Sequence, residues 1–532
     1  MTTTIFYFNL KRMNKVKLLV CAGVMLAAAT AANAGGILTN TNQSVDFLRN
    51  PARDAAIGLD GVYSNPAGVA FLPEGFHLAF NWQYAHQTRT ITSTDPYFAM
   101  GKKNDGRTTK VFEGVADAPV IPSIQAAYNK GNWSFQFNFS IPGGGGKCEF
   151  ENGLGSFERK VGEIAGTLRG LDMLANTLNA LTGSNIVDNK VVGYNMDSYM
   201  QGRQYYYGFQ LGAAYKISDK LSVYGGLRLL YGSATYKARI NNIEVRTEGN
   251  GDQNVGDFLP KIGQQISEIV PVATPLLSNL KQKEESGMTL SNDELTLKTS
   301  IESLLAMQQS GTLNSLSRYS DGVNLLCNQS GVGIAPIIGI DYKLNDHFNF
   351  AAKYEFKTQI RMKNESTIFE AYEIEAVNKY KDGEDVNEDA PAQLAIGAQW
   401  SPVNYIRINA GWHHFFDKQA SWYDNAQDKL DHNTNEWLAG VEWDINDKLT
   451  ISAGGQLTRY GLTDDYMNDM SFVVNSYSLG FGANYKVSDA VMLKAAYFQT
   501  MYDTYDRVTS PTVSDSFTRT NRVLGIGCEV TF

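Results

Sequence analysis

Apolar and polar residues alternate with a period of two in segment after segment of this chain. In Asn132 to Ile141 the apolar set is Trp133, Phe135, Phe137, Phe139 and Ile141, against Asn132, Ser134, Gln136, Asn138 and Ser140. Tyr405 to His413 sets Ile406, Ile408, Ala410 and Trp412 against Arg407, Asn409, Gly411 and His413. Glu436 to Asp444 and Leu449 to Thr458 repeat the pattern. Successive side chains of a strand point to opposite faces, so each segment reads as a strand of roughly ten residues with one apolar face. The pattern predicts about fourteen strands, near 76–91, 118–128, 131–141, 203–216, 219–240, 331–343, 346–361, 391–401, 404–417, 435–445, 448–461, 473–487, 489–501 and 520–532.

A soluble sandwich would also alternate. Three features predict an all-β transmembrane barrel of antiparallel strands instead. Aromatic residues recur just before tight polar turns, as in Tyr128-Asn129-Lys130-Gly131, Tyr342-Lys343-Leu344-Asn345-Asp346, Trp400-Ser401-Pro402, Trp443-Asp444-Ile445-Asn446 and Tyr485-Lys486-Val487-Ser488. Such a repeat suits an interfacial girdle above short periplasmic turns. Short turns alternate with long connections, about 142–202 and 241–330. The last predicted strand carries Leu524, Ile526, Cys528, Val530 and Phe532, an aromatic end of the kind read by the barrel assembly machinery. Six tight turns with both ends periplasmic require an even fourteen strands, and closure removes edges that lipid cannot satisfy.

Within the long connections the period changes to that of a helix. Val161, Ile164, Leu168, Leu171, Leu174, Leu178 and Leu181 form one stripe. Ile262, Ile266, Ile269 and Val270 form a second, and Leu297, Ile301, Leu304 and Leu305 a third. Either these helices pack on one another to close the loops, or they present an outward apolar groove in which Leu168, Leu171 and Leu174 bind ligand. At the other end of the chain, Lys11, Arg12, Lys15 and Lys17 precede the apolar run Leu18 to Ala29 and the small-x-small site Ala32-Asn33-Ala34. That is the order of an export signal over 1–34, with Met13 a more natural start than Met1. Residues 35–75 come before the first strand. They carry Phe47, Leu48, Ile57, Leu59, Tyr63, Phe71 and Leu72, too apolar a set for a free tail. The barrel proper is assigned to 76–532.

Composition changes the picture little. A net charge of −9 argues against a nucleic-acid partner. After the signal, Cys148, Cys327 and Cys528 remain, an odd count that forms neither a disulfide framework nor a zinc site, although Cys148 and Cys327 could pair across two loops. No metal, nucleotide or haem motif stands out, and no cofactor is expected. There is no Gly-x-Ser-x-Gly elbow, and His413-His414 lacks identifiable Ser and acid partners, so no catalytic residues are assigned. The polar face places charges in a wet lumen, among them His77, Arg228, Lys353, Glu355, Arg407, His413, Glu436, Glu442 and Lys494. Arg228, Lys353 and Arg407 are candidates to meet a ligand carboxylate.

Just before the first strand stands Tyr63-Ser64-Asn65-Pro66-Ala67-Gly68. A Tyr-x-Asn-Pro-Ala-Gly stretch in that position, ahead of fourteen strands, resembles the FadL-type outer-membrane transporters of long-chain fatty acids and other hydrophobic molecules. The resemblance is sharpest over Asn65, Pro66, Ala67 and Gly68 and over the last strand. It implies an N-terminal hatch inside the barrel, capture of hydrophobic ligands by the outer loops, and sideways release through a gap in the wall. Ile141-Pro142-Gly143-Gly144-Gly145-Gly146 is read first as a strand end, with a wall kink at Pro142, Gly143 and Gly144 as the alternative. The partners implied are fatty acids or similar molecules, outer-membrane lipid and lipopolysaccharide, for a monomer. Three rival functions remain at this stage: a general diffusion porin, a barrel of the same fold in protein secretion or surface attachment, and an outer-membrane enzyme.

Overall fold

The computed structural model describes residues 44–309, 322–369 and 379–532. The predicted signal segment and residues 35–43 of the predicted plug lie outside them. In chain order the helices are α1 (Val45–Arg49), α2 (Gly61–Ser64), α3 (Gly155–Thr182), α4 (Val255–Glu285) and α5 (Asn292–Gln309). The strands are β1 (Gly75–Thr94), β2 (Thr109–Lys130), β3 (Trp133–Phe150), β4 (Val191–Ser218), β5 (Leu221–Thr247), β6 (Gly251–Asn254), β7 (Val323–Lys343), β8 (Phe348–Glu355), β9 (Arg361–Phe369), β10 (Asp385–Asn387), β11 (Gln393–Val403), β12 (Ile406–Phe415), β13 (Thr434–Asp444), β14 (Leu449–Arg459), β15 (Ser476–Lys486), β16 (Val491–Tyr502), β17 (Tyr505–Ser510) and β18 (Val513–Thr531).

These strands form one antiparallel sheet that closes on itself. β1 pairs with β18 over Leu78↔Val530 to Thr94↔Ser514 and with β2 on its other side. The wall has fourteen strands. β6, β10 and β17 are additions at the rim, and β8 and β9 share one wall position with a break between them. No described helix is long and apolar enough to cross a membrane. The strands do so, because the surface is inverted relative to a soluble protein. Phe80, Phe135, Leu211, Leu227, Ile338, Val441, Phe481 and Ile526 are exposed, whereas Asn81, Gln125, Asn138, Ser452 and Glu442 are buried. An exposed apolar belt around a polar interior belongs against lipid. Tyr128, Trp133, Tyr215, Tyr342, Trp400, Trp443 and Tyr485 are exposed beside the short turns, as an interfacial girdle.

Two expectations need correction. Several strands run farther outward than predicted, among them β4, which begins at Val191 instead of 203, and β3, which continues to Phe150 instead of ending at Ile141. Past that point the inward face becomes apolar and the outward face polar, so the sign of the alternation reverses. Second, the expected strand 346–361 is split, because β7 turns from pairing with β8 to pairing with β9. The pairing of Cys148 and Cys327 that the sequence left open does not occur, and both are free. The register row Cys148↔Gly202↔Tyr236↔Cys327 puts them three strand spacings apart. That is about 14 Å along the sheet, beyond any disulfide.

Candidate functional site

Residues from Ser44 to Leu72 fill the periplasmic half of the lumen. Ser44 caps α1 by accepting from the Phe47 amide at 3.2 Å. Beyond α1 the chain is irregular, so its carbonyls need partners outside any ladder. Wall side chains supply them. Gln210 donates to the Val62 carbonyl at 2.8 Å, Lys353 to Tyr63 at 2.9 Å, Gln136 to Pro66 at 2.7 Å and Ser222 to Ala67 at 2.6 Å. Asn129 reaches both Val69 and Leu72. Wall glycines let the segment lie close: a Cβ on Gly440 would stand 2.0 Å from Asn50 Oδ1, and one on Gly480 would stand 2.0 Å from the Leu48 carbonyl oxygen.

Buried ion pairs tie this segment to one side of the wall. Glu442 on β13 receives Arg49 at 2.7 Å, Arg53 at 2.8 Å and Arg407 at 3.0 Å. Arg53 also holds Asp60 at 2.7 Å, and Lys494 on β16 bridges Asp46 and Glu529. His413 lies between Asp54 at 2.9 Å and Glu436 at 3.0 Å. On the opposite side, Asn65 donates to Asp341 at 2.6 Å while its Oδ1 accepts from the Gly68 amide at 3.2 Å. A Cβ on Gly68 would sit 2.4 Å from Asn65 Nδ2, so the Asn-Pro-Ala-Gly turn needs glycine there. The free space left among Phe47, Arg53, Asp60, Tyr63, Lys353 and His413 is about 30 Å³, room for roughly two waters.

The three cations expected to meet a ligand carboxylate are engaged otherwise. Arg228 is fully buried, forked onto Glu355 at 2.7 Å and bonded to Gln210 at 2.6 Å, with its guanidinium 4.4 Å from the centre of the Tyr63 ring. Lys353 holds the Tyr63 carbonyl, and Arg407 holds Glu442 and Asp444. Lys353 and Arg228 join the wall to Tyr63 of the plug, and Arg407 joins two neighbouring wall strands. Sequence reasoning could not find their partners, which lie up to 290 positions away.

Above the plug the lumen changes character. Ile91, Phe112, Phe150, Met200, Leu230, Tyr236, Leu325, Met362, Phe415, Phe472 and Phe517 turn inward and form one buried apolar cluster with the outer helices. Leu168, Leu171 and Leu174 of α3 belong to it, each 5% exposed or less. In this conformation the stripe is packed against the loops, not open as a groove. A cleft of about 400 Å³ at the outer rim is lined instead by Lys102, Lys103, Lys110, Glu158 and Arg239.

Where the two halves meet, the wall is interrupted. β2 and β3 pair from Lys130↔Trp133 to Ile124↔Phe139, and resume only at Ala116↔Cys148. The β2–β3 register therefore breaks between Ala116 and Ile124 on one strand and between Phe139 and Cys148 on the other. Pro142 sits in this stretch, opposite Pro119 and Pro122, and proline has no amide hydrogen to donate. Gly144 has φ 106°, and a Cβ there would meet the Gln204 carbonyl oxygen at 2.2 Å. The Pro142-Gly143-Gly144 run thus lies inside a kinked strand, not at a strand end. Pro119 and Pro122 were the readable signal that the sequence analysis passed over. Ala118 and Ile121 in this window and Phe47 of the plug border the same small apolar cluster of Val45, Leu48, Ala85, Ala496, Phe498 and Val523.

No protein-family model matches the chain, and no curated protein matches it in sequence. Solved structures do. It is similar to a FadL homologue of Pseudomonas aeruginosa, at 11% identity and TM-score 0.57, over 93% of this chain and 99% of that one. It is also similar to the P. putida toluene transporter TodX, at 12% identity and TM-score 0.50, over 94% and 98%. At such identities the likeness establishes a shared fold: an outer-membrane barrel of the FadL and TodX type.

Proposed function

We propose that this chain carries small hydrophobic molecules across the outer membrane, taking them in through the packed outer helices and releasing them sideways between β2 and β3. The observation that carries the reading is the coincidence of a blocked axis with a break in the β2–β3 register. The plug closes the straight route with buried charges, and an apolar molecule gains nothing by entering that network. The register break lies level with the top of the plug, beside the small apolar cluster that Phe47, Ala118 and Ile121 border, and it is there that the strands would part for an apolar guest. Leu168, Leu171 and Leu174 then act as an entry gate whose helices part to admit a ligand. The engagement of Arg228, Lys353 and Arg407 with plug and wall favours an uncharged cargo over a fatty-acid anion. TodX, a solved structure of similar fold, is described as a toluene transporter and, in a mutant form, as a monoaromatic hydrocarbon channel, which supports the same class.

The geometry offers a direct test of the lateral route. A Cβ on Gly146 would lie 3.7 Å from Ala118 Cβ, within the range for a disulfide. Gly146 has φ 72°, so the staple carries some backbone strain. In a Cys148→Ser background, the pair Ala118→Cys and Gly146→Cys should assemble normally. Once oxidised, it should lose most uptake of a labelled hydrocarbon and recover it on reduction. Normal uptake with the disulfide formed rules out exit at this window.

A further inference from the structure

Deep in the apolar outer lumen lies a polar group that neither plug nor wall pairing uses. Lys379, Tyr380 and Glu388 are 0%, 0% and 1% exposed. Lys379 donates to Glu388 Oε1 at 2.6 Å. Glu388 Oε2 and the Tyr380 hydroxyl have no hydrogen-bond partner among the described residues. The Tyr380 ring lies 5.3 Å from that of Tyr236. Tyr206, Tyr236, Tyr380 and Tyr466 all stand in the field of the Glu388 carboxylate. Met362 borders the group beside Tyr206, and Cys327 pairs across the ladder with Tyr236. A thioether is a compliant neighbour able to yield to a guest.

Two buried polar atoms left open inside an apolar cluster call for an explanation. Their chemistry is complementary. Tyr380 has a proton to donate, and burial keeps its hydroxyl protonated by raising it above its ordinary value. The free carboxylate oxygen of Glu388 needs a donor. A hydroxyl can serve either atom, accepting from Tyr380 or donating to Glu388. A carboxylate has no proton for Glu388 and would add a second negative charge beside it. A pure hydrocarbon leaves both atoms unpaired.

We propose that Tyr380 and Glu388 form a recognition point for the hydroxyl group of an otherwise apolar, uncharged ligand, of the class of simple phenols and alcohols. This rests on the transport reading above and narrows its cargo. Sites built to bond a hydroxyl discriminate strongly against the analogue that lacks one, because their polar groups are then buried unpaired.

The test is equilibrium binding of p-cresol and toluene, which differ by one hydroxyl, to the purified barrel in detergent, by calorimetry against empty-micelle blanks. The wild type should bind p-cresol about tenfold more tightly, as one good hydrogen bond provides. Tyr380→Phe, checked for assembly by its heat-modifiable mobility, should bind toluene as before and lose the preference for p-cresol. Equal binding of the two by the wild type overturns the proposal without reference to any variant. A preference that survives in Tyr380→Phe also overturns it and points to a trapped water. If neither compound binds, this proposal and the hydrophobic-cargo reading fall together, whereas equal binding of both leaves the transport reading intact.

Discussion

The two halves of the lumen are built from the same strands with opposite chemistry. Near the periplasm β1 turns Asn81 and Gln83 inward, β3 turns Gln136 and Asn138, and β7 turns Asp341. Farther out the same strands turn Ile91, Phe150 and Leu325 inward. The outer face changes in the other direction, from Phe135 to Glu149 on β3 and from Leu227 to Lys237 on β5. The lower half holds a polar plug by directed hydrogen bonds and ion pairs. The upper half holds helices and loops by non-directional apolar contact. Directed contacts fix one geometry, because a buried charge without its partner is costly. Apolar contacts tolerate rearrangement and can accept a guest of similar character. On the transport reading proposed above, closure falls to the lower half and ligand handling to the upper half, with the β2–β3 register break at their boundary.

The largest effect should come from removing the plug. Deletion of residues 35–70 should raise single-channel conductance sharply, since fourteen strands enclose a pore once nothing fills it. Equal conductance before and after would place the segment off the conduction path and erase the contrast between the halves.

A smaller break aims at one side chain. Glu442→Gln takes the central anion from three arginines and should weaken plug seating by roughly 3–5 kcal/mol. The barrel should still assemble, while protease reaches the plug and conductance begins to flicker. A protected plug in that variant would mean that the carbonyl bonds from Gln136, Gln210 and Ser222 suffice by themselves.

Replacing Leu168, Leu171 and Leu174 together with Ser addresses the upper half. Each buried leucine contributes about 1.5–3 kcal/mol, so α3 should detach from its neighbours. Hydrocarbon uptake should fall while conductance stays low, because the plug is untouched. Unchanged uptake in a well-assembled variant would reduce the stripe to loop packing.

The smallest effect is one of pH. Asp417, in the outer connection after β12, is raised to about 6 by burial, against the bonds from Thr434 that favour its charged form. An acid raised on folding makes the folded state hold its proton longer than the unfolded chain. Stability is therefore lost as pH climbs from about 4 to about 6. Asp417→Asn should match the wild type near pH 4 and be the more heat-stable of the two at pH 8. The Thr434 amide, 3.0 Å from Asp417 Oδ2, can still donate to the asparagine oxygen. No gain at pH 8 would show that this carboxylate is adequately solvated.

The number of strands, their short turns and the girdle were legible in the sequence because lipid forces one face of each strand to be apolar. Strand ends were not. Past Ile141 the outward face meets water and the inward face meets packed loops, so the alternation changes sign and reads as an end. Asn65 to Gly68 stood out because a tight turn constrains neighbouring residues. Its partner Asp341, 276 positions away, is found only when the barrel closes. The same holds for Arg228, Lys353 and Arg407, whose charges suggested a ligand until Glu355, the Tyr63 carbonyl and Glu442 were brought beside them. The sequence determined a membrane barrel with a short N-terminal segment to hide, since periodicity and local turns are written in neighbouring residues. Only the tertiary structure decided what fills the lumen, where the strand register breaks and which buried groups remain open, because each depends on residues that meet across the barrel.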